Sequence, residues 1–295
     1  MPKHPLATDP LFERLAHELS GSELTSALLD VMRARAAART PAEVLAQYRR
    51  DRFVWPAAVD LRTQLAIDTH MLAAADAFEA IELSPVAPLG ACSTIAPTAQ
   101  HRVLSALRST EVASDPTNVL ALECATRLRT GPGPVHLATA MRVLRAQPVP
   151  KLPGYAQHFR MFALASGGIE ARDHAFTVDT LVLHARTMLA AFDRLEAHGY
   201  RFGTRRLVVR ATAARVPLAE RIAAAIGLPA TIEPLEQAYY HGLRTMLHVT
   251  APDGEDCFLA DGGAFDWLAK LAANRRAVFV ASGCGSQLIA ARFRV

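Results

Sequence analysis

Lysine is almost missing from this 295-residue chain: Lys3, Lys151 and Lys270 are the only three, so the 32 cationic side chains are nearly all arginine. Set against 28 acidic residues they leave a formal charge of +4. An excess this small does not establish a nucleic-acid binder and suits a small anionic ligand equally well. Cysteine is scarce too. Cys92, Cys124, Cys257 and Cys284 are scattered without CxxC spacing, which leaves a disulfide framework and a structural zinc site without support. No apolar run approaches membrane-spanning length, and the opening MPKHPLATDP has no apolar signal core. The expectation is a soluble cytoplasmic protein with reduced thiols.

Several catalytic signatures are also missing. There is no HExxH, no Walker lysine motif and no GxSxG elbow. Gly283-x-Gly285 lacks a third glycine and lies ten residues from the last residue, which excludes a dinucleotide-binding βαβ unit there and leaves a tight strand-to-helix turn. His241 and His248 fall on opposite sides of a strand-like region, so they make a poor metal pair. Asp173, His174 and Asp261 could serve as acids or bases, but no partner for them is fixed. No metal site is expected.

Hydrophobic residues make up 51% of the chain and charged residues 20%, enough for a sizeable core. Residues 1–59 read as a helical extension. Asp9-Pro10 starts a short helix that stops at Gly21, a second runs from Ser22 to Arg39, and Thr40-Pro41-Ala42-Glu43 has capping-box spacing. The following RRDRFVWP reads as a loop tucked against the core, with a docking surface as the alternative. Asp60 opens a helix to about Ala77 with Leu61, Leu65 and Leu72 among its apolar positions, followed by a strand through Phe78, Ala80, Ile81 and Leu83 that ends at Pro85.

Further helices are expected from Asp115-Pro116 onward, with Val119, Leu122 and Ala125 at helical spacing, from Thr177 to His198, and from Pro217 to Ile226 before Gly227. Strands are expected at Leu207–Val209, Leu243–Thr250, Cys257–Ala260 and Ala277–Ala281, with a turn at Ala251-Pro252-Asp253-Gly254 between the second and third, and Gly262-Gly263 followed by a helix through about Ala273. This order predicts an α+β fold, a mixed, mostly antiparallel sheet flanked by helices. Two apolar-rich runs, Val135 to Ala146 and Gln157 to Ala165, flank a linker holding Pro148, Pro150, Pro153 and Gly154. Proline fixes φ and has no N–H, so the linker reads as the loop of a long hairpin. On composition alone that hairpin is a solvated ribbon. Its arginines beside aromatics also suit an anionic ligand with a flat ring.

Taken in order, these features resemble the catalytic core of class II aminoacyl-tRNA synthetases, most closely that of histidyl-tRNA synthetase. The helix and strand ending at Pro85 are similar to motif 1, the dimer-forming element. Val143-Leu144-Arg145-Ala146-Gln147, the proline-rich loop and His158-Phe159-Arg160-Met161-Phe162 resemble motif 2, FRxE–loop–(R/H)xxxF. Tyr239-Tyr240-His241-Gly242 and Leu259 to Asp266 resemble the YYTG and GGRYD signatures, and Ala277 to Leu288 resembles motif 3. The resemblance spans residues 60–295.

The resemblance implies a nucleotide site at Arg145, His158, Phe162, Gly283 and Gly285. In it Arg145 would grip the α-phosphate and the amino acid carboxylate, while His158 and Phe162 would hold the far phosphate and the adenine. It implies an amino-acid or small-ligand pocket at Thr117, Leu164, Tyr239, Tyr240, Gly262, Gly263 and Asp266. The departures are as telling. Gln147 replaces the motif 2 glutamate, Gln287 the motif 3 arginine and Ala264 the arginine of GGRYD. Thr117, Leu164 and Leu235 stand where the family has a glutamate, a glutamine and its catalytic arginine. Each lost charged contact is worth roughly 1.5–3 kcal/mol, so ordinary histidine activation is not expected.

The chain stops just after motif 3, without the family's anticodon-binding domain, and leaves no room for its insertion domain, so tRNA is not the expected partner. The resemblance therefore implies a paralogue that does not charge tRNA, of the kind of the synthetase-like regulatory subunit of ATP phosphoribosyltransferase. It would dimerise through the region around Pro85 and partner a phosphoribosyltransferase catalytic subunit. One alternative is an ATP- and Mg-dependent ligase with Arg145 catalytic, forming an aminoacyl-adenylate from an uncharged substrate for an acceptor other than tRNA. A second is a dimeric scaffold.

Overall fold

The computed structural model describes residues 9–131, 133–150, 152–236 and 238–295; residues 1–8, within the stretch read for a signal core, lie outside them. The N-terminal extension follows its caps. Helix α1 (Pro10–Glu13) runs on as a π-helical turn at Arg14–Glu18. Helices α2 (Gly21–Ala37) and α3 (Pro41–Arg50) each start at a capping box, Ser20 with Glu23 and Thr40 with Glu43. In both, the hydroxyl accepts from the N3 backbone N–H and the glutamate accepts from the cap N–H, which satisfies two orphan donors. None of these helices buries a residue. The loop expected to tuck against the core is exposed as well, at Phe53, Val54 and Trp55. It is tied down where His158 Nε2 donates to Trp55 O at 2.6 Å.

Helix α4 (Leu61–Ala74) is capped by Asp60, but its inward face is not the predicted one. Of the expected positions Leu72 packs at the edge of the core but Leu61 and Leu65 are exposed, while Gln64, Ile67, Asp68 and Met71 are buried. These four form the i, i+3, i+4, i+7 stripe. Two of them are polar because Asp68 accepts from Arg160 Nε at 2.7 Å and from Ser286 Oγ at 3.0 Å, and Gln64 donates to Ser286 Oγ at 3.0 Å.

The strand expected from Phe78 to Pro85 shrinks to β1 (Glu79–Ala80). Past Pro85, β2 (Val86–Pro88) joins β3 (Ser105–Ala106) and β4 (Thr110–Val112) in a small sheet of order β2-β4-β3. Glu111 of β4 pins the loop between β2 and β3 by accepting from the backbone N–H groups of Gly90 and Cys92, both at 2.9 Å, and from Gln100 Nε2 at 2.8 Å.

The remaining elements are α5 (Pro116–Thr130), β5 (Val135–Leu144), β6 (His158–Ile169), α6 (Ala175–Glu196), β7 (Arg205–Ala211), α7 (Val216–Ile226), β8 (Ala230–Pro234), β9 (Leu243–Thr250), β10 (Asp256–Phe265), α8 (Trp267–Leu271), β11 (Ala277–Cys284) and α9 (Ser286–Arg292). On α5 the deepest positions are Leu120, Ala121 and Cys124; of the expected Val119, Leu122 and Ala125, Ala125 is buried with them and the other two are partly buried at the edge of the core. The strand expected to end at Ala260 runs on through Gly262-Gly263, since β10 is unbroken to Phe265. Strand β8 had no counterpart among the predicted elements.

The large sheet has the order β1-β5-β6-β11-β10-β9-β7-β8. Its neighbours are antiparallel except β1 with β5 and β7 with β8, which are parallel. The fold is thus the predicted mixed, mostly antiparallel sheet flanked by helices. The hairpin lies inside it, with β5 and β6 in register from Val135↔Gly167 to Leu144↔His158 and β11 on the outer side of β6. It is no solvated ribbon, since Phe162 to Gly168 are all buried.

Period-two alternation then divides β6 between two cores. Phe162 and Leu164 join Met71, Leu181, Leu207 and Val280 under α4, α6 and α7. Ala163 and Ala165 join Leu120, Leu137, Trp267 and Phe279 under α5 and α8. The second face is covered by helix over only part of its length, and the uncovered part holds the cavity described next.

Candidate functional site

A cavity of about 620 Å³ opens on that second face. Its floor is Met161 and Phe159 of β6, Ala281 and Gly283 of β11 and Asp261 of β10. The start of α5, at Asp115, Thr117 and Asn118, forms one wall, the proline loop at Gln147–Pro150 and Gly154–Ala156 another, and Arg102, Tyr239, Tyr240 and Gln287 complete the rim. The volume suits a drug-sized ligand. Gly283 keeps the floor open, because a Cβ there would lie 2.9 Å from Met161 Cε.

Of the residues predicted to form a site, the structure brings Arg145, Thr117, Tyr239, Tyr240, Gly262, Gly283 and Gly285 to this cavity. His158, Phe162, Leu164, Gly263 and Asp266 do not line it. Phe162 and Leu164 are fully buried in the opposite core, one residue out of phase with the cavity face. His158 also points to that far face, where Nδ1 accepts from Arg142 Nη1 at 3.0 Å and Nε2 donates to Trp55 O. Gly263 is covered by Tyr240, whose Cδ1 would sit 2.3 Å from an added Cβ. Asp266 pairs with Lys270 at 2.9 Å and borders a separate, smaller depression. The aromatic that faces the cavity is Phe159, and with it the (R/H)xxxF spacing puts Tyr155, another lining residue, at the cationic position.

The charges at the cavity are largely spent on one another. Arg145 donates from Nε to Ser114 O at 2.9 Å and from Nη2 to Asp115 Oδ2 at 3.0 Å, and its Cζ lies 5.1 Å from the Phe159 ring centroid. The other oxygen of Asp115 caps α5, accepting from Thr117 N at 3.0 Å and Thr117 Oγ1 at 2.8 Å. Asp261, left without a partner in the sequence reading, is gripped by Arg244 through two parallel bonds of 2.9 and 2.8 Å and accepts from Tyr240 OH at 2.7 Å. Burial pulls the Arg244 guanidinium down, but the hydrogen bonds and charge of Asp261 outweigh it and leave the group raised. Both tyrosine hydroxyls are held neutral, first by burial and then by Asp115 beside Tyr239 and Asp261 beside Tyr240. Among the described residues that line the cavity, Arg102 is the cation with no carboxylate partner.

This arrangement does not fit ATP with a divalent cation. The lining carboxylates are Asp115 and Asp261, and each already accepts three hydrogen bonds from within the protein, one cation included. Gln147 and Gln287 offer neutral amides where a polyphosphate needs charge. Among the described residues no group of three His, Cys, Asp or Glu side chains is placed to hold a metal. No described helix is long and apolar enough to cross a membrane. The four cysteines are buried free thiols, with Cys92 and Cys124 pushed up to about 12, chiefly by burial, which makes them inert.

No family model and no curated protein sequence matches the chain. Solved structures do. An ATP phosphoribosyltransferase regulatory subunit/histidyl-tRNA synthetase from Bacillus halodurans aligns at 14% identity and TM-score 0.59, over 78% of each chain. A histidine–tRNA ligase subunit from Alicyclobacillus acidocaldarius aligns at 15% identity and TM-score 0.60, over 82% of this chain and 96% of that one. The histidyl-tRNA synthetase from a Nostoc species aligns at 15% identity and TM-score 0.57, over 80% of this chain and 72% of that one. At these identities the likeness establishes the fold.

Proposed function

We propose that this chain, with its histidyl-tRNA synthetase-like class II fold, binds a small ligand in the cavity without adenylating it and acts as a regulatory partner of an ATP phosphoribosyltransferase catalytic subunit. The observation that carries the first half is the commitment of Arg145 to Ser114 O and Asp115. The residue that the motif 2 resemblance assigns to the α-phosphate has its Nε and Nη2 sides committed within the protein. Releasing it means leaving Asp115 unpaired, at a cost of about 1–3 kcal/mol. With Gln147 and Gln287 neutral, little in the cavity would stabilise charge developing on a phosphate.

The second half draws on the company the fold keeps. One of the similar structures carries the regulatory-subunit name, and a site that binds without turning over suits that role. Dimerisation around Pro85 belongs to the same proposal, supported by the exposed apolar side chains Val86, Leu89 and Leu104 on and beside the small sheet.

The test is to mix the purified chain with a short-form ATP phosphoribosyltransferase catalytic subunit. Co-elution on a sizing column and a rise in phosphoribosyl-transfer rate are expected. Separate elution with no change in rate on any such subunit would sink the regulatory role. Dimer-sized elution of a chain that binds neither ligand nor subunit would favour a scaffold.

A further inference from the structure

A run of hydrogen bonds joins the cavity to the N-terminal arm, residues 9–59. It starts at Gln287, which lines the cavity. Gln287 Oε1 accepts from Arg142 Nη1 at 3.1 Å, and the same Nη1 donates to His158 Nδ1 at 3.0 Å. His158 Nε2 in turn reaches Trp55 O at 2.6 Å, and the Trp55 indole donates to Tyr48 O, in the last turn of α3, at 2.7 Å. Among the described residues, the bond from His158 to Trp55 is the one hydrogen bond between the arm and the rest of the chain. The arm helices bury no residue, so hydrophobic packing adds little to that tie.

The imidazole can make this bond in one tautomer only. A guanidinium donates and never accepts, so the contact with Arg142 makes Nδ1 the acceptor and leaves the ring proton on Nε2. That proton is what Trp55 O receives. With the proton on Nδ1 instead, Nε2 and the carbonyl would face each other as two acceptors. Arg142 therefore sets the tilt and the tautomer of the ring that seats the arm.

Arg142 is itself held from the cavity side. No carboxylate among the described residues lies within ion-pair distance of it, because Asp68, whose charge reaches it, is bonded to Arg160. The Gln287 amide keeps the guanidinium beside His158 and away from Asp68. A ligand that turns this amide withdraws the anchor. The arm, seated or loose, supplies the two-state element that such coupling requires.

We propose that Gln287, Arg142 and His158 form a relay through which the contents of the cavity control the seating of the N-terminal arm, with Arg142 as the positioning residue for His158. The relay rests on the small-ligand reading above for what fills the cavity.

Amide hydrogen exchange at Asp51, Phe53 and Val54 in the full chain tests it, measured against β7, whose amides report global unfolding. Arg142→Met should speed exchange in the arm about fivefold, the worth of one hydrogen bond. His158→Gln carries a fixed N–H donor and no tautomer, so it should keep the arm seated and make Arg142→Met silent. Gln287→Leu should speed exchange as Arg142→Met does, while Gln147→Leu, in the same cavity but outside the relay, should not. Proton–nitrogen spectra of the chain with isotope-labelled histidine should show His158 with its proton on Nε2 in the wild type. Three results would each overturn the relay: a wild-type proton on Nδ1, an arm indifferent to Gln287→Leu, or an Arg142→Met effect that persists in the His158→Gln chain. The first two do not depend on Arg142→Met folding. Activation of a catalytic subunit by a chain that fails these tests would remove the relay and leave the regulatory role standing. A working relay with no effect on any catalytic subunit would do the reverse.

Discussion

Arg145 and Asp115 meet 3.0 Å apart, Nη2 to Oδ2, and the same carboxylate caps α5 through Thr117. The cation that the motif 2 resemblance turns toward a ligand is thereby folded into the protein's own helix start. A charged pair of this kind, about three-quarters buried on each side chain, contributes on the order of 1–3 kcal/mol.

Replacing Asp115 by Asn keeps a side-chain oxygen for the cap and removes the charge that restrains Arg145. The expected outcome is a loss of about 1 kcal/mol in urea unfolding, with ATP affinity in calorimetry raised about tenfold as the guanidinium is released. An unchanged ATP affinity would show that Asp115 is not what keeps Arg145 from phosphate.

The buried cluster under α4 should be costly to break from one side. Asp68 is 4% exposed and depends on Arg160, Ser286 and Gln64. Arg160→Met leaves that carboxylate buried without its cation, which should destabilise by about 3–5 kcal/mol. The double variant Asp68→Leu with Arg160→Met should recover much of the loss. Urea midpoints of the two proteins separate these outcomes.

Gly263 should tolerate no side chain. A Cβ there would lie 2.6 Å from Leu243 O as well as 2.3 Å from the Tyr240 ring, and the strand backbone cannot yield. Gly263→Ala should cost about 2–3 kcal/mol through overpacking and displace Tyr240 from Asp261. The second effect is readable as a fall in the tyrosine titration midpoint.

Stability should fall with acid through His184. This residue joins Ser166 Oγ at 2.9 Å and Ser282 Oγ at 3.0 Å in the core, and Ser166 in turn meets His136 at 2.7 Å. Burial, with His136 second, pulls its pKa from 6.5 to about 3. Between those values the unfolded chain binds a proton that the folded chain refuses. The contribution is therefore complete above pH 6.5 and is lost as pH drops toward 3, at up to about 1.4 kcal/mol per pH unit. His136, lowered by burial, adds in the same direction. His184→Gln should flatten the slope of urea stability between pH 6 and 4, about the span of the shift; a slope equal to wild type would place the acid sensitivity elsewhere.

Elements whose signals are local were legible in the sequence. The capping boxes at Ser20 and Thr40, the stop at Gly227 with its φ of 77° and the proline loop of the hairpin act within a few residues, and the structure keeps them. What escaped depends on the far side of a contact. The inner stripe of α4 hides behind Gln64 and Asp68, whose partners Ser286 and Arg160 are distant in sequence. Strand β6 is apolar on both faces, with Phe159 and Met161 on one and Phe162 and Leu164 on the other. Composition cannot fix its phase, and a shift of one residue moves every side chain to the other core. Asn118 gives no signal at all until burial shows that its amide oxygen has no partner.

Amino-acid-dependent exchange of pyrophosphate into ATP, run over all twenty amino acids, tests most directly the claim that the fold is kept while adenylation is not. The expected result is no exchange above background with any of them. Exchange with even one amino acid, abolished by Arg145→Ala, would contradict the account and make this chain an ATP-dependent ligase.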